Sequence, residues 1–276
     1  METRHRPQTT DAEPTAYSQS EDPYPWWSER PVMGLRQLQS AISEAESLDD
    51  WATILNAHIS WGNTKIADHV GTYSMNAATD CPNIETEYCQ VDADECYAAR
   101  TEHTYDETLA YRRRQEYLWD HLDAQTFAMA LAVIAERKRN HPFNADKRQV
   151  VSALRFNQAG DIRHRGDVVK IDRIAELVNE ALGIDVYLYT ASSWVRWDEL
   201  PTAHVTINAS NQREPLASVA DRFYTALSDG TDPADVDWLD DDAIHCPYQA
   251  SDGQYECGEC KVCVTDDAPD AYIRIH

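Results

Sequence analysis

VVSALRFNQAGDIRHRGDVVKIDRIAELVNEALGIDVYLYT, residues 150–190, changes its hydrophobic period twice. Residues 150–156 and 184–190 are short runs rich in β-branched and aromatic side chains, as strands are. Between them Val168, Ile171, Ile174, Ala175, Val178 and Leu182 recur every three or four residues, which predicts an amphipathic helix over 168–182. Gly183 sits where such a helix ends on a left-handed residue. Strand, helix and strand at this spacing form a βαβ unit with parallel strands and a right-handed crossover. A third run at 204–209 extends the pattern. The fold class expected is α/β, a partial-barrel-like parallel sheet with helices, carrying a Cys-rich loop and a C-terminal metal-binding segment.

In such sheets ligands gather beyond the C-terminal ends of the strands. The residues leaving those ends are polar: Arg155, Asn157, Gly160 and Asp161, then Tyr189 and Thr190, then Asn208 and Ser210. This rim is the candidate pocket. Arg155 and Asn157 are expected to bind an anionic or polar substrate group, with Asp161 as hydrogen-bond acceptor or general base. Thr190, Asn208 and Ser210 are expected to touch a cofactor. The plainer alternative makes Asp161 a helix cap and Arg155 half of a salt bridge.

Upstream, the apolar residues of 35–58 predict one or two helices, with Ser47 and Asp49 as caps between them. Residues 61–96 show no sustained period and read as one long ordered loop. A helix is expected just after Cys96, and another over 124–139, whose basic last turn suits the helix dipole before His141-Pro142 stops it. Residues 1–30 are polar, hold four prolines and read as a disordered arm, its end pinned by Trp26 and Trp27. The core domain is placed at 31–228. Beyond it, Asp229 to Asp242 form an acidic linker, followed by a cysteine cage and a last strand-like piece at 272–276.

Seven cysteines fall in two places: Cys81, Cys89 and Cys96 in the long loop, and Cys246, Cys257, Cys260 and Cys263 in CPYQASDGQYECGECKVC. Thiols used only for packing would not be confined to two loop-like stretches. A CxxCxxC run with a remote fourth cysteine suits a cubane (4Fe-4S) iron–sulfur cluster, whereas zinc more often takes paired CxxC knuckles. Iron–sulfur and zinc both stay open, as do plain thiols. His69 or His103 is available to complete a zinc site with the first three cysteines.

The chain has 276 residues and 42% hydrophobic content, enough for a full core without a metal. With 48 acidic and 24 basic residues its net charge is −24, and only five of the bases are lysine. Acidity of this kind, spread along the chain, suits a very salty cytoplasm, where charges are screened over a few Å. No stretch has the length of a membrane-spanning helix and the first residues lack a signal peptide's apolar core, so an intracellular protein is expected. Arg112 to Arg114 and Arg163 to Arg165, with His164, are the basic concentrations that a nucleic acid would use, although such triplets are more often solvated helix faces. No phosphate loop, nucleophile elbow, HExxH or dinucleotide fingerprint is present.

Several short motifs recur in the order seen in a phage protein family known as gene product eighty-eight. They are Asn63-Thr64-Lys65, Cys81-Pro82, Cys89, Cys96-Tyr97-Ala98, the run Arg155 to Asp161, Tyr187-Leu188-Tyr189-Thr190 and the closing CxxCxxC with a terminal His276. The chain resembles that family over 60–276, which implies a viral or provirus-like origin and carries no settled activity with it. A weaker resemblance, to radical S-adenosylmethionine enzymes, implies three thiolates leaving one iron open for S-adenosylmethionine. The cysteine spacing of seven residues then six departs from those enzymes' CxxxCxxC.

Overall fold

The computed structural model describes residues 33–62, 66–84, 86, 88–89, 96–144, 150–227, 230–255, 257–265 and 267–274. The expected N-terminal arm with Trp26 and Trp27, the Asn63-Thr64-Lys65 motif, Asp229 and His276 lie outside them.

Two helices, α1 (Leu35–Glu44) and α2 (Leu48–His58), open the described chain. Ser47 starts α2 through a reciprocal pair in which the Asp50 N–H donates to Ser47 Oγ at 3.2 Å and the Ser47 N–H donates to Asp50 Oδ2 at 2.9 Å. Asp50, not Asp49, is therefore the acidic partner of the cap. The stretch read as one loop contains two strands, β1 (Ser60–Trp61) and β2 (Val70–Tyr73). All four β2 residues are buried, so the strand shows no in-out alternation for a sequence to reveal.

Helix α3 (Tyr97–Thr104) starts after Cys96 as expected, and α5 (Ala124–Asn140) is capped by Asp123. Between them lies α4 (Asp106–His121), which the hydrophobic pattern hides because its buried face includes Arg112 and Gln115 beside Leu118 and Trp119. Then follow β3 (Ala153–Phe156), α6 (Arg165–Leu182) and β4 (Asp185–Thr190), the βαβ unit read from the sequence. Gly183 ends α6 at φ 63°, its N–H donating to Asn179 O at 2.9 Å. Strands β5 (Thr206–Ala209), β6 (Arg222–Leu227), β7 (Ile244–His245) and β8 (Ala271–Arg274) complete an eight-stranded sheet in the order β1-β2-β3-β4-β5-β6-β8-β7. Only β1 runs antiparallel to its neighbour.

Strands β2 to β6 are parallel and lie in sequence order, an arrangement in which right-handed crossovers put the connecting helices on one face. On that face Tyr73, Leu154, Phe156, Val186, Leu188, Ile207 and Ala209 pack against helix residues such as Leu55, Trp119, Phe127, Leu131, Ile171 and Ile174. Tyr73, Phe127 and Phe156 meet at ring distances of 5.5–6.2 Å, and the Tyr73 hydroxyl donates to Gln115 O at 2.6 Å. The opposite face is left for something else. No helix among the described residues is long and apolar enough to cross a membrane.

His58 couples this core to pH. Its buried imidazole donates from Nδ1 to Ile54 O at 2.8 Å, and burial lowers its pKa from the ordinary 6.5 to about 4. The folded chain keeps His58 neutral where the unfolded chain protonates it. Stability is therefore complete above pH 6.5 and declines as pH falls towards 4. The full loss, reached below pH 4, is about 3 kcal/mol, of which about 2 kcal/mol is lost by pH 5, since a tenfold difference in proton affinity between folded and unfolded chains is worth roughly 1.4 kcal/mol. Denaturant midpoints at about pH 7 and about pH 5 check this, and His58→Gln flattens the profile between them.

Candidate metal centre

The face turned away from the helices is polar. Its side chains follow from the two-residue period: Thr72 lies beside Arg155 and Arg155 beside Tyr187, and, one step further, Tyr189 lies beside Asn208 and Asn208 beside Arg222. The Arg155 guanidinium lies 4.4 Å from the Tyr189 ring centroid, and Tyr189 meets Tyr224 edge-on at 4.9 Å.

The C-terminal cysteine segment roofs this face. Cys257, Cys263 and Val264 pack on Ile66, Val70, Ala153 and Tyr187. Asn208 donates from Nδ2 to Cys263 O at 3.0 Å and accepts from Arg222 Nη1 at 2.9 Å, while Arg222 also donates to Thr265 O. The Tyr189 hydroxyl lies beside the Cys263 sulfur, whose proton affinity it lowers, and the Tyr224 hydroxyl lies beside that of Cys246. Cys246 precedes helix α7 (Pro247–Ala250), its N–H donating to Tyr272 O of β8 at 2.8 Å. Cys257 and Cys260 bound the one-turn helix α8 (Cys257–Cys260), and Lys261 at φ 57° turns the chain so that Cys263 returns to the sheet.

All seven cysteines are described and half-buried, and none forms a disulfide. Burial pushes the Cys263 thiol up to about 12, with Cys257 and Cys246 adding to the rise; burial also raises Cys260, with Cys246 again contributing. The four C-terminal sulfurs thus feel one another. Among the described residues no group of three or more His, Cys, Asp or Glu forms a ready-made metal cage. The thiols are gathered but not closed around a point.

At the C-terminal ends of the strands a second network forms around Asp161. Its carboxylate accepts from the N–H groups of Ile162 and Ala191 at 2.7 Å each, from Thr190 Oγ1 at 2.6 Å and from Asn83 Nδ2 at 2.8 Å. Asn157 Nδ2 stands 3.5 Å away, and Asn157 itself adopts φ 60°. Burial raises the Asp161 pKa, against the donors at Ala191, Thr190 and Ile162, which favour the anion. Gly160 must be glycine: at φ +68° an added Cβ would stand 2.0 Å from Asn76 Oδ1, the atom that accepts the Asp161 N–H at 2.9 Å.

The first cysteine loop is tied to the same network. Asn83 Nδ2 also donates to Ser192 Oγ at 2.9 Å, Trp194 Nε1 donates to Asn83 Oδ1 at 3.1 Å, and Asn211 Nδ2 donates to Tyr88 O at 2.8 Å. Burial pushes the Cys81 thiol well up, with the charges of Asp161, Cys89 and Cys96 adding to the rise. His69 faces Asp68 at 3.4 Å and His103 is exposed.

The sequence-expected residues therefore divide. Asn157, Asp161 and Thr190 meet at the rim, whereas Arg155 and Asn208 stand on the polar face. Thr190 Oγ1 is engaged with Asp161 and with the Ser192 N–H at 3.1 Å, Asn208 holds the cysteine segment, and the Ser210 N–H donates to Thr190 O at 2.8 Å. Tyr224, Arg222, Asn76 and Asn83 belong to these networks without having been singled out by sequence. Tyr187 and Tyr189 were legible as same-face neighbours from their spacing, but nothing local in β6 announces Tyr224.

Both basic triplets are largely neutralised. Arg112 meets Glu102 at 2.6 Å in the interior, Arg113 meets Asp80 at 2.9 Å, Arg163 meets Asp120 at 2.7 Å and Asp167 at 3.1 Å, and Arg165 meets Glu199 at 2.8 Å. In the free chain these arginines face the protein's own carboxylates, as the solvated or structural reading of the triplets expects.

No curated protein and no solved structure matches this sequence. A family model described as Gene product 88 matches residues 36–266, which takes in the long cysteine loop, the polar face, the Asp161 network and all four C-terminal cysteines. The chain belongs to the Gene product 88 family.

Proposed function

We propose that this protein binds an iron–sulfur cluster through Cys246, Cys257, Cys260 and Cys263, seated against the polar face of the sheet. The observation that carries this reading is that Tyr189 of β4 and Tyr224 of β6 bring their hydroxyls beside two of these four sulfurs, on the face where Cys257 and Cys263 pack. Hydroxyl donors aimed at sulfur are what a thiolate ligand uses as its outer shell. The donor set suits the group in its chemistry, being all sulfur, free of disulfides and half-buried, and the four thiols would have to close around a common point to hold it. A bound cubane would supply one-electron chemistry. Cys81, Cys89 and Cys96 offer a second, three-sulfur set beside Asp161, suited to a centre with one open position. S-adenosylmethionine is not invoked, because the side-chain groups of Thr190 and Asn208 expected to touch a cofactor are engaged with protein partners.

Anaerobic purification followed by iron, sulfide and zinc analysis tests the proposal. The expected preparation is brown, with about four irons and four sulfides for each filled site. A colourless protein with stoichiometric zinc replaces the reading by that of a zinc-stabilised binding or accessory protein without catalysis. A protein free of both metals removes either.

A further inference from the structure

We infer that Arg155 is the counter-charge of the C-terminal thiolate centre, coupled to it through Tyr189. The inference rests on the proposed metal site and assigns Arg155 a role within the protein in place of substrate binding.

The observations begin with an accounting of charge. In a chain with twice as many acids as bases, arginines drawn inward find carboxylates, as Arg112 does with Glu102 at 2.6 Å and Arg163 does with Asp120 at 2.7 Å. Arg155 does not. No ion pair to it occurs among the described residues, and its buried Nε lacks a hydrogen-bond partner. What it has is the ring of Tyr189, 4.4 Å from its guanidinium. That same Tyr189 lies beside Cys263, so one side chain has a cation over its ring and a cysteine sulfur near its hydroxyl.

Arg155 is half-buried with its Nε enclosed, and a cation so placed without a counter-charge costs free energy that a nearby anion recovers. Four thiolates outnumber the positive charge of one zinc ion or of one oxidised cubane, so a filled centre stays anionic. In a half-buried corner that excess needs a nearby cation. Lys261 lies within the cysteine segment but is exposed, where solvent screens it, and Arg222 on the same face is committed to Asn208 and Thr265 O. Arg155 occupies the sheet beneath.

A counter-charge gives a signature that a packing role does not. Without metal, Arg155 is an uncompensated cation, and its removal leaves the apo-protein as stable as before or more so. With metal, its removal weakens binding.

The test uses the full chain, with zinc(II) as probe because thiolates accept it whichever metal is native. Arg155→Met and Arg155→Lys are compared with wild type by zinc competition against a chromophoric chelator, and by denaturant unfolding with and without zinc. The expected result is about 10–100-fold weaker zinc binding for Arg155→Met, near-normal binding for Arg155→Lys, and no loss of apo stability in either. Three results overturn the inference: unchanged zinc affinity in Arg155→Met, equal destabilisation of its apo and loaded forms, or its failure to fold without metal. Wild type that takes up no zinc overturns the inference and the metal site together. Wild type whose zinc binding depends on Arg155 but which purifies without iron removes the iron–sulfur assignment alone.

Discussion

Cys260→Ser is expected to empty the C-terminal corner of metal, whereas Cys89→Ser leaves it filled. Structural zinc sites built from four ligands bind with roughly 10–16 kcal/mol, so each thiolate is worth about 3 kcal/mol and its loss weakens binding by on the order of a hundredfold or more. Metal analysis of the two variants separates the clusters. The consequence for folding is local. The corner is built from four-residue helices, two residues of β7 and half-buried side chains, while the apolar core lies on the other face of the sheet. Stripping metal with a chelator is therefore expected to expose the segment around 246–265 to proteolysis and amide exchange while the core strands β2 to β5 stay protected. Exchange that rises uniformly through the core would show that the segment is not held by metal.

Asp161→Ala is expected to cost about 3–5 kcal/mol, because it takes the shared acceptor out of a buried hydrogen-bond network. Four close donors, from Ile162, Ala191, Thr190 and Asn83, converge on this carboxylate from the ends of β3 and β4 and from the first cysteine loop. Alanine leaves them buried without an acceptor, at about 1–3 kcal/mol for each donor that water cannot reach. Asn83 then loses a partner that holds the cysteine loop over the strand ends. Denaturant unfolding measures the stability, and maleimide labelling of Cys81 and Cys89 is expected to quicken in the same variant. A cost below about 1 kcal/mol would mean that the donors find water, and that the carboxylate is not a structural tie.

The identity of Asp161 as a notable residue was legible in the sequence, but its surroundings were not. Its place after a strand in a βαβ unit pointed to the rim. The partners that occupy its oxygens come from positions such as Asn83, 78 residues away in sequence. With so many donors on its oxygens, the tie at a βα turn is the role its geometry displays, and a base would have to release them.

By itself the sequence determined the elements whose burial is one-sided. The helices around Leu55, Phe127 and Ile174 have one apolar stripe and Gly183 supplies the left-handed stop, so each is written in a local period. It also separated the cysteines into two groups. Tertiary structure alone decided what lacks such a period: β2, buried along its whole length; α4, whose buried face includes an arginine and a glutamine; and β6, whose tyrosine meets Cys246. It alone set Arg155 over Tyr189 and brought the cysteine segment onto that face, and it joined Asn211 to Tyr88 across 123 residues. The reason is physical. Periodicity records which side of an element meets water, but the choice of neighbour is made by strand pairing and by polar groups that must find partners once buried, and those partners lie elsewhere in the chain.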